Sequence, residues 1–168
     1  MRMLKKAPRN ILMISAVAAV GVAGSILATG PAEAVTTCNS WAYVRNVNLD
    51  PSASIVPIYG TGTTSSRSLN CNLYKGTSGD GVRQLQMTLN ECYGPHPASG
   101  GVKKFSTNLA TDGQFGSATE KALKTVQSYV GVTADGWYGP ETRKKMKARD
   151  NNGSGNYCMY LKLPVTWW

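Results

Sequence analysis

Beyond residue 34, the side chains best suited to catalysis or metal binding are few: Glu91, Glu120, Glu141, the single histidine His96, and Cys38, Cys71, Cys92 and Cys158. Glycan cleavage needs two carboxylates at a fixed separation, one as acid and the other as base or nucleophile. Most carboxylates here have a local explanation instead. Glu120 follows Ser117 by three residues and reads as half of a helix-capping box. Glu141 sits in a first helical turn, where the dipole favours it, and Asp112 and Asp135 open Asp-Gly turns. Only Glu91 is left, without a partner. His96 stands between Pro95 and Pro97 and reads as an ordinary loop residue. A nucleophilic pair built on it would need a free cysteine, and zinc would need scattered carboxylates to complete its ligands. No Cys-x-x-Cys spacing occurs. The expectation is a non-enzymatic protein with no metal and no cofactor.

Binding asks for less: a groove, hydrogen-bonding side chains and an exposed flat ring. Trp137 is the ring expected to face outward, although lone surface aromatics also occur without a ligand. Arg83, Tyr93 and Gln114 are candidates for the rim beside it. Gln86 and Gln127 complete the set, with a second reading open for both, in which their amides bond neighbouring loop backbone.

A repeated unit carries these residues. Asp112-Gly113-Gln114-Phe115-Gly116 and Asp135-Gly136-Trp137-Tyr138-Gly139 recur 23 positions apart. Asp bonds its own following backbone and Gly accepts a positive φ, so Asp-Gly makes a tight turn. Phe115 and Tyr138 are then expected to fold beneath it, and a helix follows each copy, opened by Ser117 or by Pro140 at its first position. The apolar spacing predicts a first helix with Val82, Leu85, Leu89 and Cys92 on one face, and a second from about 117 to 130 buried through Ala122, Leu123, Val126 and Val130 and stopped by Gly131. The third runs from about 140 to 148 with Met146 inward and Arg143, Lys144, Lys145 and Lys147 around it.

The ordered pattern G-x-x-G-x-x-V-x-x-L-Q (76–86), D-G-x-F-G-x-x-T with its later A-L-x-x-V-Q (112–127), and D-G-x-Y-G-x-x-T (135–142) resembles the peptidoglycan-binding-domain family. The resemblance implies a mainly α fold, a small orthogonal three-helix bundle that targets bacterial wall material and occurs beside wall amidases, lysozymes and carboxypeptidases. Related versions are pro-domains of matrix metalloproteases. Two departures stand out. Residues 93–111 are longer than the family pattern and could reshape or cover a groove, and Val126 stands where phenylalanine is more frequent.

The remaining sequence sets the frame. Arg2, Lys5, Lys6 and Arg9 precede an apolar run from Ile11 to Leu27 and the small-x-small site Ala32-Glu33-Ala34, the pattern of a signal peptide cleaved after residue 34. Cleavage would leave 134 residues, enough for one domain, with 14 basic and eight acidic side chains and a net charge of about +6. The basic run Arg143, Lys144, Lys145, Lys147 and Arg149 reads either as attraction toward an anionic wall polymer or as a solvated helix face. An even number of cysteines in an exported chain implies two disulfides. Of three connectivities, Cys38–Cys71 and Cys92–Cys158 are favoured, stapling the N-terminal segment to itself and the chain end to the first helix. Residues 41–47, 54–59 and 157–163 read as strands, with Pro57 arguing for an edge, and join into a short hairpin or sheet.

The expected organisation is therefore a signal peptide (1–34), a disulfide-stapled β-rich extension (35–72), a three-helix module (73–149) and a C-terminal strand or tail (150–168). The function expected is a secreted, monomeric, non-catalytic protein bound to peptidoglycan or an associated anionic wall polymer, without nucleic acid or, after cleavage, membrane as partner. Two rivals stay open: a secreted protein-interaction or inhibitor module, favoured by the inserted loop, and a small wall hydrolase relying on Glu91. The terminal pair Trp167 and Trp168 either packs on the β extension or forms a partner surface.

Overall fold

Helix α1 (Asp80–Tyr93) links a helical core to the sheet, because one of its stripes is buried and a second is half-buried against different partners. In this computed structural model, which describes residues 36–46, 53–60, 66–151 and 156–167, Val82, Leu85 and Leu89 enter a core with Leu73, Phe115, Leu123, Val126, Tyr138 and Met146. Each such side chain withdrawn from water stabilises the fold by about 1.5–3 kcal/mol. A second stripe, carrying Met87 and Glu91, meets Arg149 of the sheet: Arg149 donates to the Glu91 carboxylate, and its guanidinium lies 3.8 Å from Met87 Sδ. Helices α2 (Ser117–Val130) and α3 (Pro140–Lys145) complete the first core. Residues 1–35, which include the expected signal peptide, together with 47–52, 61–65, 152–155 and Trp168, lie outside the described residues.

The sheet is larger than the short hairpin expected. Strands β1 (Ser40–Asn46), β2 (Ala53–Ile58), β3 (Lys147–Asn151), β4 (Asn156–Tyr160) and β5 (Val165–Trp167) form one antiparallel sheet in the order β4-β3-β2-β1-β5. Helix and sheet thus share the fold in comparable measure. One face of the sheet meets α1; the other buries Ala42, Val44, Val56, Ile58, Ala148 and Leu161, with Trp167 packed on this cluster. Strand β2 is internal by order, yet β3 pairs only with its Ser54 and Ile55. At Pro57, which lacks a donor, only β1 lies alongside, through Trp41.

Two local expectations are corrected. The residue capping α2 is Gly116, without a side-chain cap, so Ser117 lies inside the helix and the Ser117–Glu120 box does not form. The Glu120 carboxylate is drawn instead to Lys124 and Lys75, at 3.0 and 3.3 Å. Helix α3 ends at Lys145, and residues 147–151, expected to extend or follow a helix, form β3 between β2 and β4. Gly131 does end α2, in the left-handed conformation.

Disulfides join Cys38 to Cys71 and Cys92 to Cys158. The inserted residues 93–111 are pinned to α1. Val102 N–H donates to Cys92 O at 2.8 Å, and the Asn90 amide both donates to and accepts from the Leu109 backbone. Phe105 and Leu109 pack against the first core.

Candidate functional site

The two Asp-Gly turns are built alike, atom for atom. Gln86, on α1, reaches the first turn: its amide nitrogen donates to Asp112 Oδ1 (2.9 Å) and the Gln114 carbonyl (3.0 Å), and its oxygen accepts from Gly113 N–H (2.9 Å). Gln127, on α2, does the same at the second, donating to Asp135 Oδ1 (2.9 Å) and the Trp137 carbonyl (2.9 Å) and accepting from Gly136 N–H (2.9 Å). Thr119 and Thr142 occupy matching places at the amide nitrogens. In each turn the aspartate also accepts from the N–H two residues on, Gln114 or Trp137, at 2.8 Å. Gly113 and Gly136 have φ of 73° and 81°, a conformation that a Cβ disfavours. The backbone N–H of Gln114, followed by the Gln86 amide, holds the Asp112 carboxyl below the usual carboxylate range.

Gln86 and Gln127 are therefore buried and occupied by loop backbone, the second of their two readings, and neither reaches a surface groove. Tyr93 is also corrected from rim to core. It is 1% exposed, its hydroxyl accepts from Lys147 N–H at 2.6 Å, and burial pushes its phenol well above the ordinary value. It lies at the last turn of α1, on the stripe that continues Leu85 and Leu89, so packing decides its direction.

What the turns present outward is the residue after each Asp-Gly. Gln114 is exposed at the first and Trp137 at the second, with 43% of Trp137 accessible while Phe115 and Tyr138 are buried beneath. Residues 73–79 connect the two turns: Leu73 exchanges backbone bonds with Tyr138, Gly76 and Thr77 bond Phe115, and Gly79 bonds Gly113. This segment supplies the contact missing from the sequence reading. The Tyr74 ring stacks on Trp137, with centroids 4.6 Å apart and planes inclined by 18°. Tyr74 lies just before the Gly76-x-x-Gly79 pattern and outside the repeat, so no periodicity marked it. Arg83 is exposed beside Gly113, and its charge acts favourably on Asp112.

Beside the second turn, a shallow depression of about 340 Å³ runs along α2, lined by Ser117, Glu120, Lys121, Lys124, Thr125 and Ser128. Gly136 abuts Glu120 and Lys124 at its edge. Lys124, then Lys75, holds the Glu120 carboxyl low and charged. The surface thus combines a stacked aromatic pair, an ion-paired carboxylate and amide and ammonium donors, a set that can pack a flat sugar or peptide face and bond its polar edge.

The other chemistry-bearing residues sit apart. His96 and Glu141 are exposed, and Glu91 is paired with Arg149. Arg143, expected on a solvated face, is 4% exposed; it donates to the carbonyls of Leu69 and Cys71 and lies over the Tyr138 ring. Among the described residues no three His, Cys, Asp or Glu side chains gather as a metal site, and no helix is long and apolar enough to cross a membrane.

Residues 78–146 match the model of the family described as "Putative peptidoglycan binding domain". The chain is similar to a zinc D-Ala-D-Ala carboxypeptidase of Streptomyces albus G, with 42% identity over 74 residues, 44% of this chain and 25% of that protein. It is also similar to two proteins of Bacillus licheniformis. One is a probable N-acetylmuramoyl-L-alanine amidase, 35% identical over 95 residues (56% of this chain and 24% of that protein). The other is the N-acetylmuramoyl-L-alanine amidase CwlL, 37% identical over 90 residues (51% and 23%). The chain spans about a quarter of the length of each of these curated relatives. The matched segment contains both Asp-Gly turns, both glutamines and all three helices.

Proposed function

We propose that this protein is exported and adheres to bacterial peptidoglycan without cleaving it, through the surface beside the two Asp-Gly turns. The observation that carries the reading is the stacked Tyr74–Trp137 pair, held outward by a turn whose Gly136 N–H, Trp137 N–H and Trp137 carbonyl are all bonded from within. A rigid ring pair loses little conformational freedom on binding, which suits a shallow site. Gln114 and Arg83 extend the contact along the face that residues 73–79 span. In this reading residues 1–34 are removed on export, 73–149 form the small orthogonal three-helix module and the β-rich segments 35–72 and 150–168 brace it as a monomer. The two disulfides and the family match support an extracellular, wall-associated location. A non-catalytic role is supported by the ion pairs that occupy Glu91 and Glu120.

A single shallow site of this kind binds in the micromolar to millimolar range, about −8 to −4 kcal/mol. Sedimentation with purified insoluble peptidoglycan tests the reading. Trp137→Ala is expected to lower retention about tenfold while leaving the far-ultraviolet dichroism spectrum unchanged, because the side chain has no part in the turn. Undiminished retention of this variant would remove the site from the proposal.

A further inference from the structure

A second surface, at the C-terminal ends of α2 and α3, is built from parts of the chain that the Asp-Gly turns do not use. A groove of about 440 Å³ lies between Tyr129 of α2, Lys144 and Lys145 at the end of α3, and Tyr160 of β4. Both tyrosines are prominently exposed, at 46% and 49%. Lys104, delivered by the inserted loop, sits with Nζ 3.4 Å from the centre of the Tyr129 ring, and Lys147 Nζ lies 5.2 Å from that of Tyr160 while donating to the Gly100 carbonyl. The rings thus fix two of four ammonium groups in place, so part of the side-chain entropy that flexible lysines lose on binding is already lost. Lys144 and Lys145 are exposed, and among the described residues no carboxylate lines the groove.

Four cations around one groove, two of them held by rings, with two phenol hydroxyls among them, complement a chain in which anionic groups alternate with hydroxyl-rich units. We propose that this groove binds a phosphodiester polymer of polyol or sugar units, and that the insertion at 93–111 exists in part to bring Lys104 to it. The site is separate from the Trp137 surface, so one face would hold peptidoglycan and the other a polyanion attached to it.

The test uses wall sacculi that carry covalently attached phosphodiester polymer and the same sacculi stripped of it with hydrofluoric acid. The double variant Lys144→Glu/Lys145→Glu is expected to lose about tenfold or more in affinity for the unstripped sacculi, as is Lys104→Glu, and to bind stripped sacculi like the parent. Soluble poly(glycerol phosphate) is expected to displace the parent protein from unstripped sacculi. Lys144 and Lys145 are exposed and Lys104 is half-buried, and thermal unfolding of the variants checks that the fold is intact. Unchanged affinity of either variant for unstripped sacculi overturns the proposal, as does an equal loss on both kinds, which would assign the groove to peptidoglycan itself. Failure of the Trp137 site shows separately, as loss-free binding of Trp137→Ala to stripped sacculi.

Discussion

At the residue scale, Gln86 and Gln127 carry the most structure. Each amide closes a turn, bonds an aspartate and meets a threonine, all from a buried position. Truncating Gln127 leaves the buried Gly136 N–H without its partner and the Trp137 carbonyl with only the Thr142 hydroxyl, and an orphaned buried group costs about 1–3 kcal/mol. Gln127→Ala is therefore expected to destabilise the fold by about 1–3 kcal/mol, read as a lower midpoint in urea unfolding with an unchanged slope. Both glutamines were visible in the sequence as motif positions, but their type fits a ligand groove as well as a loop clamp, and only the distances to Gly113 and Gly136 separate the two. Arg143 shows the opposite limit. Three cations beside it made its environment look solvated, whereas carbonyls from residues 69 and 71, remote in sequence, draw it inside.

At the element scale, the helices were legible because their signals are local: apolar spacing on α1 and α2, Gly131 after α2, Pro140 at the start of α3. Strand β3 was not. Lys147-Ala148-Arg149-Asp150-Asn151 has weak strand propensity, and it extends because β2 and β4 offer backbone partners on its two sides. The mistaken capping box has a similar cause, since the pattern Ser-x-x-Glu is local while Lys75, which claims Glu120, arrives from another segment. A consequence is measurable. Ser117→Ala is expected to change stability by less than about 0.5 kcal/mol, where loss of a true cap costs about 1 kcal/mol, and thermal unfolding distinguishes the two.

At the scale of the whole molecule, two covalent links constrain the chain. Cys92–Cys158 closes a loop of 66 positions and Cys38–Cys71 one of 33. Chain-entropy arguments give each about 4 kcal/mol. The paired replacement Cys92→Ser/Cys158→Ser is expected to lower unfolding free energy by about that amount, seen in chemical unfolding under non-reducing conditions. The candidate site was partly readable at this scale: Trp137 stood out within the repeat, whereas Tyr74 and the Lys104–Tyr129 contact come from segments that only the fold brings together. The strand order also has a temporal meaning. Because β5 lies on β1, and Cys158 is the mate of Cys92, a polypeptide made from its N-terminus can assemble α1 and α2 early but must hold Cys92 as an unmated thiol until the tail appears. Closure of this link thus waits for synthesis of Cys158, and a product that stops between residues 92 and 158 is marked by an unmated thiol.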